Sequence, residues 1–117
     1  MKINASELRA ILPQSRFGNF LLDRTYSLPT GDEIRQAVND FIISRGNFDY
    51  ELDRNDCDNA VWDLVGELSK HGWTVGLCVT NTHAVMGYVT NDTQVGFVDA
   101  ITGFELNEPQ IKLTVWP

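Results

Sequence analysis

The chain has 117 residues, 43% of them apolar, and 16 acidic against 9 basic side chains give it a net charge of −7. Such a length corresponds to one domain with a sizeable core, and an apolar share of this size with three Trp argues against disorder. The acidic balance argues against nucleic acid as a ligand, since phosphate binding needs clustered Lys and Arg, while it permits a surface that imitates a polyanion.

Residues 6–12 predict a short helix, capped by Ser6 and stopped before Pro13. Residues 14–29 are turn-rich and read as irregular. Thr30-Gly31-Asp32-Glu33 has the form of a capping box, and Ile34, Val38, Phe41 and Ile42 then make the stripe of an amphipathic helix ending near Gly46. Tyr50 to Asn55 is an extended polar approach to a second long helix. That helix opens at Asp56 or Cys57, carries the stripe Ala60, Val61, Leu64, Val65 and Leu68, and closes at Gly72 with Lys70 and His71 in its last turn. At Trp73 the period changes. Trp73, Val75, Leu77 and Val79 alternate with Thr74, Gly76, Cys78 and Thr80, which predicts a strand. Residues 83–90 and 94–101 predict two more strands around a turn at 91–93, and residues 111–116 a last one, placed at an edge by Pro109 and Pro117. Helices followed by an antiparallel meander give the class α+β.

Two cysteines are too few for the disulfide framework of a small secreted domain, so Cys57 and Cys78 are expected to be free thiols. The N-terminal residues lack the apolar segment of a signal peptide, and no apolar run approaches the roughly 18 residues of a membrane span. The expected location is the cytoplasm.

One constellation carries chemistry. Cys57 sits in the first turn of a predicted helix, where free N–H groups and the positive end of the helix dipole favour a thiolate. His83 opens a strand and Asp99 stands in an otherwise apolar run on the next one, so a nucleophile, its base and an orienter are at hand. The hairpin decides whether the last two can meet. A three-residue loop at 91–93 pairs Thr90 with Gln94, sets His83 opposite Ile101 and Val85 opposite Asp99, and puts His83 and Asp99 on one face; a two-residue loop would separate them. The competing reading of each is structural: Cys57 as a small buried hydrophobe and His83 as a strand-end residue bonded to a carbonyl. Trp62, Trp73, Trp116 and Cys78 read as core, and His71 as a cation at a helix end.

The strings Tyr26-Ser27-Leu28-Pro29-Thr30, Asp56-Cys57-Asp58-Asn59, His83-Ala84 and Val98-Asp99 together resemble the papain-like cysteine protease fold. More narrowly, they resemble short phage-associated papain-like domains similar to the C-terminal protease domain of a fungal agglutinin. The resemblance implies one papain-like domain over residues 1–117, with the Cys-bearing helix packed on a small antiparallel sheet. It implies Cys57 as nucleophile, His83 as base and Asp99 as orienter of a phage-encoded thiol hydrolase acting on a peptide, amide or isopeptide bond. Asp99 stands where such domains usually have Glu, and Glu108 is the alternative third member. No Gln precedes the Cys to complete an oxyanion hole; Asn47 and Asn55 are the nearest substitutes. No cofactor is expected, calcium being the exception the agglutinin suggests, because Cys57, Asp58 and His83 lack zinc-site spacing and the acids around Asp56 do not form an EF-hand loop. The expected partner is a peptide or protein substrate, with neither nucleic acid nor membrane. The alternative function is a non-catalytic acidic phage protein that binds and inhibits a host or defence factor.

Overall fold

The architecture was obtained as a computed structural model that describes residues 1–107 and 109–117. Among the described residues, three helices and eight strands follow one another as β1 (Lys2–Asn4), α1 (Ala5–Ile11), β2 (Asn19–Leu21), β3 (Thr25–Ser27), α2 (Gly31–Arg45), α3 (Cys57–Ser69), β4 (Val75–Val79), β5 (Ala84–Val89), β6 (Val95–Val98), β7 (Glu105–Leu106) and β8 (Leu113–Trp116).

The helices begin where their caps dictate. Thr30 Oγ1 accepts from the Glu33 N–H at 3.1 Å while Glu33 Oε1 accepts from the Thr30 N–H at 2.9 Å, closing the capping box of α2. Asn4 and Glu7 do the same for α1, so the cap is Asn4 rather than the expected Ser6. At α3 the Asn59 side chain accepts from the Asp56 N–H at 3.1 Å, which fixes Cys57 as the first helical residue. The α3 stripe Ala60, Val61, Leu64, Val65 and Leu68 is buried throughout, and Ile34 and Val38 of the α2 stripe join it in one cluster with Val75, Leu77, Met86 and Val98, against which Phe41 and Ile42 pack.

The main sheet has the order β2-β8-β4-β5-β6-β7, antiparallel except for the parallel pair β2–β8, and β1 pairs with β3 in a separate ribbon. Both faces are covered. Residues Val75, Leu77, Ala84, Met86 and Tyr88 face the helices, whereas Cys78, Val85, Val89, Phe97 and Trp116 join Ile3, Leu8, Tyr26 and Leu28 in a second cluster. The expected α+β, papain-like arrangement of one helix on a small antiparallel sheet is corrected accordingly. The sheet dominates, has six strands, is mixed, and is sandwiched between the helices and the N-terminal segment. The last strand is also not at an edge: β8 lies between β2 and β4, where its backbone groups bond on both sides.

Trp116 shows how tightly the second cluster closes. Gly76 and Gly87 are directly paired across β4 and β5. A Cβ at Gly76 would stand 2.7 Å from the Trp116 ring and from the Val115 carbonyl, and one at Gly87 would stand 2.7 Å from Cys78 Sγ and 2.9 Å from the ring. The glycine pair therefore forms the trough in which the indole lies. Trp73 is only half-buried and Trp62 is exposed, so of the three Trp expected in the core only Trp116 is there. His71 stacks on Trp73 with ring centroids 4.2 Å apart, instead of acting on the helix end alone. Among the described residues no helix is long and apolar enough to cross a membrane.

Candidate functional site

The β5–β6 hairpin settles the register. Met86 pairs with Val98 and Val89 with Val95, and the Thr90 N–H donates to the Gln94 carbonyl at 3.0 Å. The loop is thus three residues long, and His83 Nε2 lies 3.2 Å from Asp99 Oδ2. The two side chains are 39% and 20% exposed.

Each partner is held from behind. Thr80 closes the turn before β5: its hydroxyl oxygen accepts from the His83 N–H at 3.0 Å, and its own N–H donates to the His83 carbonyl at 2.8 Å. Asp99 Oδ1 accepts from the N–H groups of Ile101 at 2.8 Å and Thr102 at 3.0 Å, and the Gly103 N–H donates to the Asp99 carbonyl at 2.7 Å. Burial alone would push the Asp99 carboxyl up. The Thr102 and Ile101 N–H groups and the His83 ring outweigh it and hold the carboxyl below its ordinary value. An ionised carboxylate only accepts, so the hydrogen of this contact is on His83 Nε2, and Nδ1 is the ring nitrogen that does not face Asp99.

Cys57 is a free, half-buried thiol packed against the helix-side cluster. Five residues join α3 to β4, and α3 packs along β4 and β5. The chain therefore turns back on itself, and the start of α3 lies toward the end of the sheet where Val79 faces Ala84. Cys57, the His83 turn and the Asp99 turn share that end. The contact made is His83 to Asp99; Cys57 stands on a neighbouring element. Beside it the Asp56 and Asp58 carboxyls act on each other, which pushes Asp58 up and Asp56 down. The Asn55 side-chain amide, a candidate oxyanion donor, is turned to the Asp49 carbonyl at 2.6 Å. Glu108, the alternative third member, lies outside the described residues. Among the described residues no group of three or more His, Cys, Asp or Glu is arranged to hold a metal ion.

Arg45 was not among the expected site residues. It ends α2, and its Nη1 and Nη2 donate to the carbonyls of Ala100 at 2.7 Å and Ile101 at 2.6 Å, in the turn that carries Asp99. Nothing in the local sequence signals a contact between residues 55 positions apart.

No protein-family model matches the chain, and no curated protein matches it either. Solved structures do. One, titled "PSL1a-E64 complex", has a TM-score of 0.78 at 17% identity and covers 97% of this chain and 50% of its own. Another, of Polyporus squamosus lectin bound to a human-type influenza-binding glycan epitope, has a TM-score of 0.72 at 18% identity and covers 97% of this chain and 49% of its own. The chain thus spans about half the length of the chains it matches, and at these identities the likeness concerns the fold. The finding corrects the family expectation. The second of these structures is that of a lectin, and the resemblance to a papain-like cysteine protease does not stand. With it fall the thiol-hydrolase activity it implied, the alternative of an acidic inhibitor of a host factor, and the phage origin.

Proposed function

We propose that Cys57, His83 and Asp99 form a reactive-thiol site that captures an electrophilic small-molecule ligand, with Cys57 as nucleophile, His83 as base and Asp99 as orienter. The observation that carries this reading is the His83–Asp99 contact at 3.2 Å, made at the end of the sheet where the Cys57 helix begins. A relative in fold having been solved with E-64 adds support. The step is a displacement: Nδ1 of His83 takes the thiol proton, a bond forms from sulfur to the electrophilic carbon, and the bond to the leaving group breaks with its electron pair going to that group. Peptide-bond hydrolysis is no part of the proposal.

The test is alkylation with iodoacetamide at pH 7, followed by intact mass and peptide mapping. Cys78 is fully buried and serves as the unreactive internal reference. Cys57 is expected to react about tenfold or more slower in His83→Ala and several-fold slower in Asp99→Asn, the size of a lost proton-transfer partner. E-64 is expected to label the same thiol. A rate equal to that of a simple exposed thiol and unchanged by His83→Ala overturns the reading.

A second reading, glycan binding, is favoured by one further observation. A groove of about 630 Å³ is lined by the aromatic residues Phe41 and Trp73, the latter stacked on one side by His71, and by the polar residues Gln36, Asp40, Ser44 and Glu67. A flat aromatic with hydrogen-bonding groups around it suits the apolar face and hydroxyls of a sugar. Titration with the glycan epitope named for the lectin is expected to shift amide resonances around Trp73, with an about tenfold loss of affinity in Trp73→Ala. Resonances that stay still at millimolar glycan overturn it.

A further inference from the structure

The turn that presents Asp99 has a second charged neighbour on its other side. Two consecutive peptide groups of this turn, Ala100–Ile101 and Ile101–Thr102, direct their N–H ends to Asp99 Oδ1 at 2.8 and 3.0 Å. The carbonyl ends of the same two groups receive Nη1 and Nη2 of Arg45 at 2.7 and 2.6 Å. The pair of peptide units is therefore held between a guanidinium and a carboxylate. A cation on a carbonyl polarises its peptide and strengthens the hydrogen bond given by that peptide's N–H. A guanidinium with two parallel donors suits two adjacent carbonyls, which a single ammonium cannot match. Arg45 is itself fixed, its guanidinium lying 5.8 Å from the Phe41 ring centroid and 5.0 Å from that of Phe48.

We infer that Arg45 is a positioning residue of the reactive-thiol site, acting on Asp99 through these two peptide groups and so fixing the carboxylate that orients His83. The inference rests on the proposed site, whose orienter is Asp99. Asp99 has one ionisable side chain in direct contact among the described residues, His83, and Arg45 reaches it only through the backbone.

The experiment is carbon-detected NMR titration of the Asp carboxyls in wild type, Arg45→Gln and Arg45→Lys, with Cys57 alkylation rates measured on the same samples. The Asp99 midpoint is expected to rise by about half a pH unit or more in Arg45→Gln and by less in Arg45→Lys. Asp92, in the turn at the other end of β5 and β6, serves as the control and is expected to keep its midpoint in all three proteins. The alkylation rate is expected to fall several-fold in Arg45→Gln, with partial recovery in Arg45→Lys. A merely structural arginine would lower stability without moving Asp99 alone. An Asp99 midpoint equal to wild type in the folded variants overturns the inference, and if Arg45→Gln does not fold, Arg45→Lys decides, since it keeps the stem and the charge. The titration needs no thiol chemistry. Alkylation indifferent to His83 therefore overturns the site reading alone, and an unmoved Asp99 beside His83-dependent alkylation overturns only the role of Arg45.

Discussion

Replacing Trp116 with Ala is expected to cost about 3–5 kcal/mol of unfolding free energy, the range for removing a large buried aromatic. The side chain is 1% exposed, and its Nε1–H donates to Thr114 Oγ1 at 2.8 Å, so both its apolar area and its polar handle are satisfied. The upper part of the range is favoured by what surrounds the ring. Its floor is the glycine pair 76 and 87, which has no side chains that could rearrange into the space. The walls are β4, β5 and β8 themselves, hydrogen-bonded on both sides and slow to collapse inward. Denaturant unfolding at constant slope measures the loss. A cost below about 1 kcal/mol would mean that the trough closes over the missing ring, contrary to the packing described.

The second large effect is at alkaline pH. Burial pushes the Cys78 thiol up to about 12 from its ordinary 9.0, with the Gly87 N–H opposing weakly. Below about pH 8 the thiol is protonated in both folded and unfolded chains and contributes nothing to the pH dependence. From pH 9 upward the unfolded chain releases this proton while the folded one keeps it, so the unfolded state binds fewer protons and stability falls as pH rises. The slope is about 1.4 kcal/mol per pH unit, and about 4 kcal/mol accumulates by pH 12. Tyr88 acts in the same direction, because burial and the neighbouring Glu105 raise its hydroxyl, but only from its ordinary 10.0 upward. The interval between pH 9 and 10 therefore reports Cys78. In Cys78→Ala the unfolding free energy is expected to be lower throughout and nearly flat across that interval. An equal slope in wild type and Cys78→Ala would remove Cys78 as its source.

The parts of the molecule legible in the sequence were those fixed by short-range pattern. The α3 stripe recurs every three to four residues and is buried as that spacing requires. The Thr30–Glu33 box marks the start of α2 because its two hydrogen bonds lie within four residues. A three-residue loop at 91–93 is enough to bring His83 and Asp99 to one face. What escaped was set by partners far along the chain. Strands β1, β2 and β3 are three residues each, too short to show alternation, and β2 exists because residues 114–116 run beside it. The interior position of β8 and the grip of Arg45 on the Asp99 turn depend on contacts across 55 to 95 residues. The family reading failed for a related reason. Four short strings specify where a helix or strand begins, and they do not specify the course of the chain between them.

The place of β8 also has a consequence for synthesis. The strand that joins β2 to β4 is made of residues 113–116, so a ribosome must deliver nearly all of this stretch before residues 19–21 find their sheet. Until then β4 is a bare edge, with unpaired N–H and C=O groups beside an apolar glycine trough that Trp116 has not yet filled. Tyr26, whose hydroxyl donates to the Trp116 carbonyl at 3.0 Å, waits for the same residues. Closing so long a loop is slow compared with forming the local α3–β4–β5 unit. The nascent chain therefore passes through a state whose open edge can pair with another copy, and its yield in a cell depends on how long that edge is left unguarded.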